Sequence, residues 1–160
     1  MRPGKPIRFP LPADDSTEQA ALRFLARRDR TEAQVRTYLS RTGASSGRIQ
    51  TLIKQFVKRG YLNDEAFALR WAQRRLARRP MGRSRLEAEL LRQGLDRAVT
   101  ASALERVYKE RSERDLARAL LNQSSDLRTL RGRSRGANLL RRHGFDEETI
   151  EEALQGSGSS

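Results

Sequence analysis

Three stretches of this sequence repeat one thirteen-residue pattern, about fifty residues apart. They read TEAQVRTYLSRTG at 31–43, GRSRLEAELLRQG at 82–94 and GRSRGANLLRRHG at 132–144. The three align without gaps when their closing glycines are superposed, which places Leu39, Leu90 and Leu140 in one column. A repeat of this period is typical of helical arrays, in which each unit packs on its neighbour.

Each copy has the pattern of a short helix that ends at its glycine. The leucine column lies four positions after a second column, which holds Val35, Leu86 and Gly136, so both columns fall on one helix face. The closing glycine favours a helix end because it adopts positive φ at little cost. Since Gly136 offers no side chain to that face, we expect the third copy to pack less firmly.

A helical pattern precedes each copy and another follows it. The clearest follows the first copy, where buried-face spacing (i, i+3, i+4, i+7, i+8) is shown by Ile49, Leu52, Ile53, Phe56 and Val57. Asp96 and Asp146 are candidate N-caps of the helices that follow the other two copies. No segment has the period-two alternation of a strand. The sequence therefore predicts an all-α fold, a tandem array of three three-helix repeats.

The period sets the predicted boundaries of the repeats at 16–62, 63–111 and 112–155. Residues 1–15 are broken by prolines and predict a disordered N-terminal arm, and 156–160 predict a flexible tail. Hydrophobic residues make up 36% of the chain and charged residues 33%, which favours an elongated body with a thin core. The arm has no apolar run of secretory length, and no window could span a bilayer. We expect a cytoplasmic protein without a membrane partner.

Catalytic and metal-binding patterns are missing from the sequence. The chain has no cysteine, and it contains no GxxxxGK(S/T), HExxH or GxSxG motif. The acids near Asp146 fall in the first turns of a helix, where they offset its dipole. The single histidine, His143, aligns with Thr42 and Gln93, and we expect it to be exposed at a helix end. We therefore predict a protein that is not an enzyme, with no catalytic residue, no cofactor and no metal.

The positive charge is more informative. The formal net charge is +13, which implies an acidic partner such as a nucleic acid or a nucleoprotein. The stretches 70–85 and 128–142 are rich in arginine and contain no acid. Like charges one helical turn apart destabilise an isolated helix, so such runs favour a negatively charged partner. The candidate partner- and DNA-binding residues are Arg70, Arg74, Arg75, Arg78, Arg79, Arg83, Arg85, Arg131, Arg133, Arg135, Arg141 and Arg142.

A winged-helix regulator is the alternative. The segment 31–64 also fits a helix-turn-helix whose second helix, from Ser46, would read a DNA major groove. A wing would need a hairpin after Leu62, where the sequence has another helix start instead, NDEAFALRWAQRR. That alternative would make the protein a sequence-specific transcription regulator.

The stretch GYLNDEAFALRWAQRR followed by GRSRLEAELLRQG resembles the central signature of the RecX regulatory proteins. That signature is Gly-Tyr-Leu-x-Asp-x-x-Phe-Ala, then a basic linker, then a helix that ends at glycine. The resemblance extends from about Ala20 to Leu154. It implies a curved array of three-helix repeats, basic on one side, with no catalytic residues.

The resemblance also implies a function. RecX proteins bind the filament of the RecA recombinase, lodge in its groove against protomers and DNA, and inhibit ATP hydrolysis, strand exchange and filament extension. This places the chain in homologous recombination, DNA repair and the SOS response, with non-specific contacts to single- and double-stranded DNA. A monomer suffices for this role. The family pattern assigns no filament contacts, so the arginines named above rest on charge clustering alone.

Overall fold

A computed structural model describes residues 13–123 and 127–156, and within these ranges the chain forms nine α-helices and no strand. The helices are α1 (Ala13–Arg27), α2 (Glu32–Arg41), α3 (Ser46–Lys58), α4 (Asp64–Arg78), α5 (Arg83–Arg92), α6 (Arg97–Glu110), α7 (Glu113–Asn122), α8 (Leu130–Arg142) and α9 (Glu147–Gln155). The predicted all-α repeat fold is confirmed. Residues 1–12 of the predicted arm and 157–160 of the predicted tail lie outside the described residues.

The chain divides into two compact units. The first, Met1–Asn63, contains α1 to α3, and the second, Asp64–Ser160, contains α4 to α9. Each unit has its own hydrophobic core. The helices of the second and third predicted repeats therefore share one core, which runs from Phe67 in α4 to Ala153 in α9.

The two aligned columns form the buried face in each copy. Leu39, Leu90 and Leu140 are fully buried, and so are Val35 and Leu86. The closing glycines Gly43, Gly94 and Gly144 have φ of 87°, 84° and 83°, a backbone region that costs other residues free energy. The repeat alignment therefore identified both the inward face and the helix ends.

Hydrogen-bonded caps fix the helix starts. Thr31 forms a capping box with Gln34: the Thr31 hydroxyl accepts from the Gln34 N–H, and the Gln34 side chain accepts from the Thr31 N–H. The carboxylates of Asp96 and Asp146 each accept from the backbone N–H three residues later, at 2.8 Å. Both aspartates are N-caps, as their positions predicted.

In the first unit, the buried face of α3 consists of Ile49, Leu52, Ile53 and Phe56. Val57 was expected on the same face but is 44% exposed. The buried stripe of α3 is therefore narrower than the sequence spacing predicted. The first two helices are joined by an aromatic stack. The rings of Phe24 and Tyr38 lie parallel with centroids 4.2 Å apart, and the Arg30 guanidinium covers Phe24 at 3.9 Å.

In the second unit, the third copy does not pack loosely at Gly136. A Cβ at this position would lie 2.9 Å from Leu121 Cδ2 and 3.1 Å from Leu127 Cδ2, so neighbouring leucines already occupy the space. Gly136 is buried, and Leu154 of α9 lies on the same side. Leucine side chains from outside α8 fill the space that a side chain at Gly136 would occupy. The expectation of a weakly packed helix was therefore wrong.

The start of α5 packs directly on the end of α8. The Gly82 N–H donates to the His143 carbonyl at 2.8 Å, and the Ser84 hydroxyl donates to the Gly144 carbonyl at 2.7 Å. A Cβ on Gly82 would overlap the Gly144 backbone, so only glycine allows this approach. We call this contact between 82–85 and 142–145 the α5–α8 joint.

Candidate nucleic-acid interface

All twelve predicted arginines lie in the second unit. Four belong to α4 and its last turn, namely Arg70, Arg74, Arg75 and Arg78; Arg79 follows that helix, Arg83 and Arg85 begin α5, and the remaining five lie on α8. The structure separates them into arginines that hold the fold together and arginines whose side chains reach solvent. A partner-binding role fits the solvent-exposed group better than the group that holds the fold together.

Arg75 and Arg85 converge on one carboxylate, that of Glu89. Arg75 donates to it through Nε at 2.8 Å and Nη2 at 3.0 Å, and Arg85 Nε lies 3.6 Å from the same group. The Arg75 guanidinium also lies over the Trp71 ring, 5.5 Å from its centroid. Such a bidentate pair holds α4 against α5. Both arginines therefore stabilise contacts within the second unit, whether or not they also contact a partner.

Glu89 is the buried member of this cluster, with only 8% of its surface exposed. The hydrogen bond from Arg75 holds the pKa of the Glu89 carboxyl below its ordinary value, although burial acts in the opposite direction. The sequence signal that could have found it is position: Glu89 is one residue before Leu90 on the inward face of α5. We did not predict this residue, because a glutamate there looks like an ordinary solvated charge.

Arg141 is also engaged within the fold. It contacts Glu147 of α9 through Nη2 at 2.9 Å and the Asn138 side chain through Nη1 at 3.0 Å. Both charged side chains are at least half exposed, so solvent screens the pair and its contribution to stability is small. Hydrogen bonding from Arg141 lowers the pKa of the Glu147 carboxyl.

The other predicted arginines are mostly exposed. Arg74 and Arg78 lie one turn apart on α4, so their guanidinium groups share one exposed helix face, which we call the α4 basic face. On α8, Arg131 and Arg135 show the same spacing and are exposed, whereas Arg133 is half-buried. The side chains of Arg74, Arg78, Arg131 and Arg135 therefore reach solvent.

His143 lies at the α5–α8 joint and is buried, with 4% of its surface exposed. The expectation of an exposed histidine was wrong because α5 covers the end of α8. Burial lowers the pKa of the imidazole, and the positive charges of Arg79, Arg85 and Arg142 lower it further. The joint thus brings together arginines from both acid-free stretches, around a single buried ring.

The connection between α3 and α4 bears on the alternative function, a winged-helix regulator. Between the end of α3 and Asp64 at the start of α4, the described chain has only a short connection and no strand. The bulky residues of α3 point into the core of the first unit, including Leu52 and Phe56. The chain has no room for a hairpin wing at the place where a winged-helix protein would need one.

Within residues 13–123 and 127–156, no group of three or more histidines and acids lies close enough together to hold a metal ion. No helix in the described part of the chain is both long and apolar enough to cross a membrane.

Two protein-family models match this chain. Residues 19–56 match the model described as the first three-helix domain of RecX, and residues 63–104 match the second three-helix domain. The chain belongs to the RecX family. Relatives named regulatory protein RecX support this: that of Syntrophotalea carbinolica is 32% identical over 131 residues, which cover 79% of this chain and 86% of the relative. That of a Mycobacterium species is 32% identical over 144 residues, covering 84% and 77% of the two chains.

Solved structures share the fold. The crystal structure of RecX from Lactobacillus salivarius superposes with a TM-score of 0.81 at 19% identity, covering 89% of this chain and 95% of that one. A second RecX crystal structure gives a TM-score of 0.75 at 17% identity, covering 89% and 71%. Because the match reaches 89% of the chain, it extends beyond residue 104, where the second family-model match ends.

Proposed function

We propose that this RecX-family protein regulates the RecA recombinase by binding its filament on DNA and inhibiting ATP hydrolysis, strand exchange and filament extension. The protein acts in the cytoplasm as a binding regulator and not as an enzyme, during recombination, DNA repair and the SOS response. The observation that carries the proposal is the pair of RecX domain matches over the first two helix triplets. The basic surface of the second unit supports it.

Electrostatics supplies the attraction in this proposal. The chain carries a net charge of +13, and the DNA in a recombinase filament carries a negative charge on each phosphate. Guanidinium groups that reach solvent, such as Arg74, Arg78, Arg131 and Arg135, can neutralise phosphates without reading the bases. Binding to single- or double-stranded DNA is therefore non-specific, and a monomer is sufficient for it.

The test measures DNA-dependent ATP hydrolysis by the recombinase in the presence of increasing amounts of this protein. The wild-type protein inhibits hydrolysis and co-sediments with the filament. Replacing Arg74 and Arg78 by alanine raises the concentration for half-inhibition by about tenfold, equivalent to ~1.4 kcal/mol of lost binding. The matched control replaces Arg92 and Arg97, two exposed arginines outside the acid-free stretches, and leaves inhibition near the wild-type level.

Two outcomes would contradict the proposal. A wild-type protein that neither sediments with the filament nor slows hydrolysis would remove the recombinase as the partner. A preference for one duplex sequence over random duplex DNA by more than about a thousandfold would instead favour the sequence-specific regulator.

A further inference from the structure

The α5–α8 joint concentrates positive charge around one buried ring. Arg85 reaches across from α5, and its Nη1 donates to the Arg142 carbonyl at 2.9 Å. Arg79 follows α4, and Arg142 is the last residue of α8. The positive charges of Arg79, Arg85 and Arg142 all lower the pKa of the His143 imidazole. The nearest acid to this group is Glu89 of α5, whose carboxylate lies 3.6 Å from Arg85 Nε.

The imidazole has no hydrogen-bond partner among the described protein atoms. His143 is 96% buried, given its 4% exposure, and neither Nδ1 nor Nε2 has a hydrogen-bond partner among the described residues. A neutral imidazole carries one N–H donor, and burying a donor without a hydrogen-bond partner is unfavourable. Folded proteins rarely keep such a group without a use for it.

The carbonyls at the end of α8 account for one of these cations, Arg85, whose Nη1 donates to the Arg142 carbonyl, but not for Arg79 and Arg142. The His143 carbonyl accepts from the Gly82 N–H and the Gly144 carbonyl accepts from the Ser84 hydroxyl. The side chains of Arg79 and Arg142 are exposed and make no ion pair with a described residue.

We infer that the α5–α8 joint is a phosphate-binding site, in which Arg79 and Arg142 hold the phosphate oxygens, Arg85 adds positive charge from its position against Glu89 and the Arg142 carbonyl, and His143 supplies a buried donor. This deepens the proposed function, on which it rests for the biological source of the phosphate, a nucleic-acid backbone. The charge balance is favourable, because one phosphodiester offsets part of the repulsion among the three guanidinium groups. The glycine pair at 82 and 144 holds α5 and α8 close enough to bring the groups together.

The experiment uses the fact that His143 is the only histidine in the chain. Its Hε1 resonance is followed by NMR across a pH titration of the full protein, in buffer without phosphate. The titration is repeated with inorganic phosphate, with an oligothymidylate, and with sodium chloride of matched ionic strength. Phosphate and the oligonucleotide raise the pKa of His143 by at least about half a unit, because a bound anion favours the charged ring. Sodium chloride does not.

Variants identify the ligating groups. Arg79→Ala and Arg142→Ala each weaken phosphate binding at least about tenfold, and the double variant abolishes the pKa change. Arg92→Ala removes the same charge from an exposed site elsewhere and leaves the change intact. Both test positions are exposed, so circular dichroism of the variants matches wild type.

The outcomes separate the site from its source. A response to inorganic phosphate alone supports a site for free phosphate groups, and a response to the oligonucleotide supports a backbone phosphate. No response to either ligand overturns the inference, as does a response that sodium chloride reproduces or that Arg142→Ala leaves unchanged. A wild-type protein that inhibits the recombinase but shows no response to phosphate or to the oligonucleotide refutes only this site. A phosphate response without filament binding refutes only the proposed function.

Discussion

The backbone N–H of Gly82 donates a 2.8 Å hydrogen bond to the carbonyl oxygen of His143. The first residue before α5 thus closes the end of α8, and the positive end of one helix meets the negative end of the other. Next to it, the Arg83 N–H donates to the Glu113 carboxylate of α7 at 2.6 Å. The helices of the second and third predicted repeats, α4 to α9, therefore share helix-end hydrogen bonds as well as a hydrophobic core.

Replacing Gly82 by alanine tests this dependence. The added methyl group would overlap the Gly144 carbonyl, which is backbone and cannot rotate away, so α5 must move from α8. We expect the second unit to lose about 3 kcal/mol of unfolding free energy, the upper end of the usual overpacking cost. The measurement is urea denaturation followed by the fluorescence of Trp71, the only tryptophan, which packs on the core of this unit.

The matched control for that variant is Gly47→Ala. Gly47 lies in the first turn of α3, and a Cβ there has nothing within 4 Å. Alanine is the better helix former, so this change should be neutral or stabilise the first unit by up to about 1 kcal/mol. Equal stability losses in the two variants would mean that the close contact at Gly82 is unimportant.

Leu90→Ala tests the repeat alignment. Leu90 is fully buried in the second unit and occupies the column shared with Leu39 and Leu140. Truncation leaves a cavity, and we expect a loss of about 2–5 kcal/mol in the same fluorescence-detected denaturation. Leu130→Ala, at a leucine that is 87% exposed, is the control and should change stability by less than about 0.5 kcal/mol.

Glu89→Gln tests the ion-pair cluster between α4 and α5. The amide keeps the shape but weakens the bonds from Arg75 and Arg85, so we expect a loss of about 1–3 kcal/mol at pH 7. The native pKa of Glu89 is lowered, so its contribution is full above the ordinary value of 4.5 and is lost as the pH falls through the lowered pKa.

Stability measured from pH 7 down to pH 3 distinguishes the variant from wild type. The wild-type protein begins to lose the Glu89 contribution as the pH falls below the ordinary value of 4.5, and the glutamine variant has none to lose. Its curve should therefore approach the wild-type curve at low pH. Glu87→Gln, at an exposed residue of the same helix, serves as the control. A constant gap between the glutamine variant and wild type at every pH would contradict the role assigned to the carboxylate.

Sequence periodicity predicts the features of this fold that depend on short-range structure. Helix faces and helix ends recur every fifty residues, because each copy must bury one stripe and stop at one glycine. The columns at Leu39, Leu90 and Leu140 were therefore readable without a structure. The buried state of Glu89 was not readable, since it depends on arginines contributed by two different helices.

His143 shows where the repeat alignment stops being informative. Its column partners are Thr42, which is exposed, and Gln93, which is half-buried. His143 alone is buried, because the α5 helix start covers it, and that contact joins residues about sixty positions apart. Equivalent positions in a repeat have the same local conformation but different neighbours. The arginine surface is predictable for the same reason only as a set of charges, not as a set of contacts.

The salt dependence of DNA binding tests whether the α4 basic face contacts phosphates. Each neutralised phosphate of a single strand contributes about −0.7 to the slope of log K against log salt concentration. Replacing Arg74 and Arg78 by alanine should therefore make the slope shallower by about 1.4, if each side chain meets one phosphate. Fluorescence anisotropy of a labelled oligothymidylate at four salt concentrations gives the slope. Arg92→Ala with Arg97→Ala is the control of equal charge and should keep the wild-type slope. If both double variants make the slope shallower by the same amount, net charge and not the α4 basic face determines DNA binding. The interface would then lie elsewhere on the second unit or on the first.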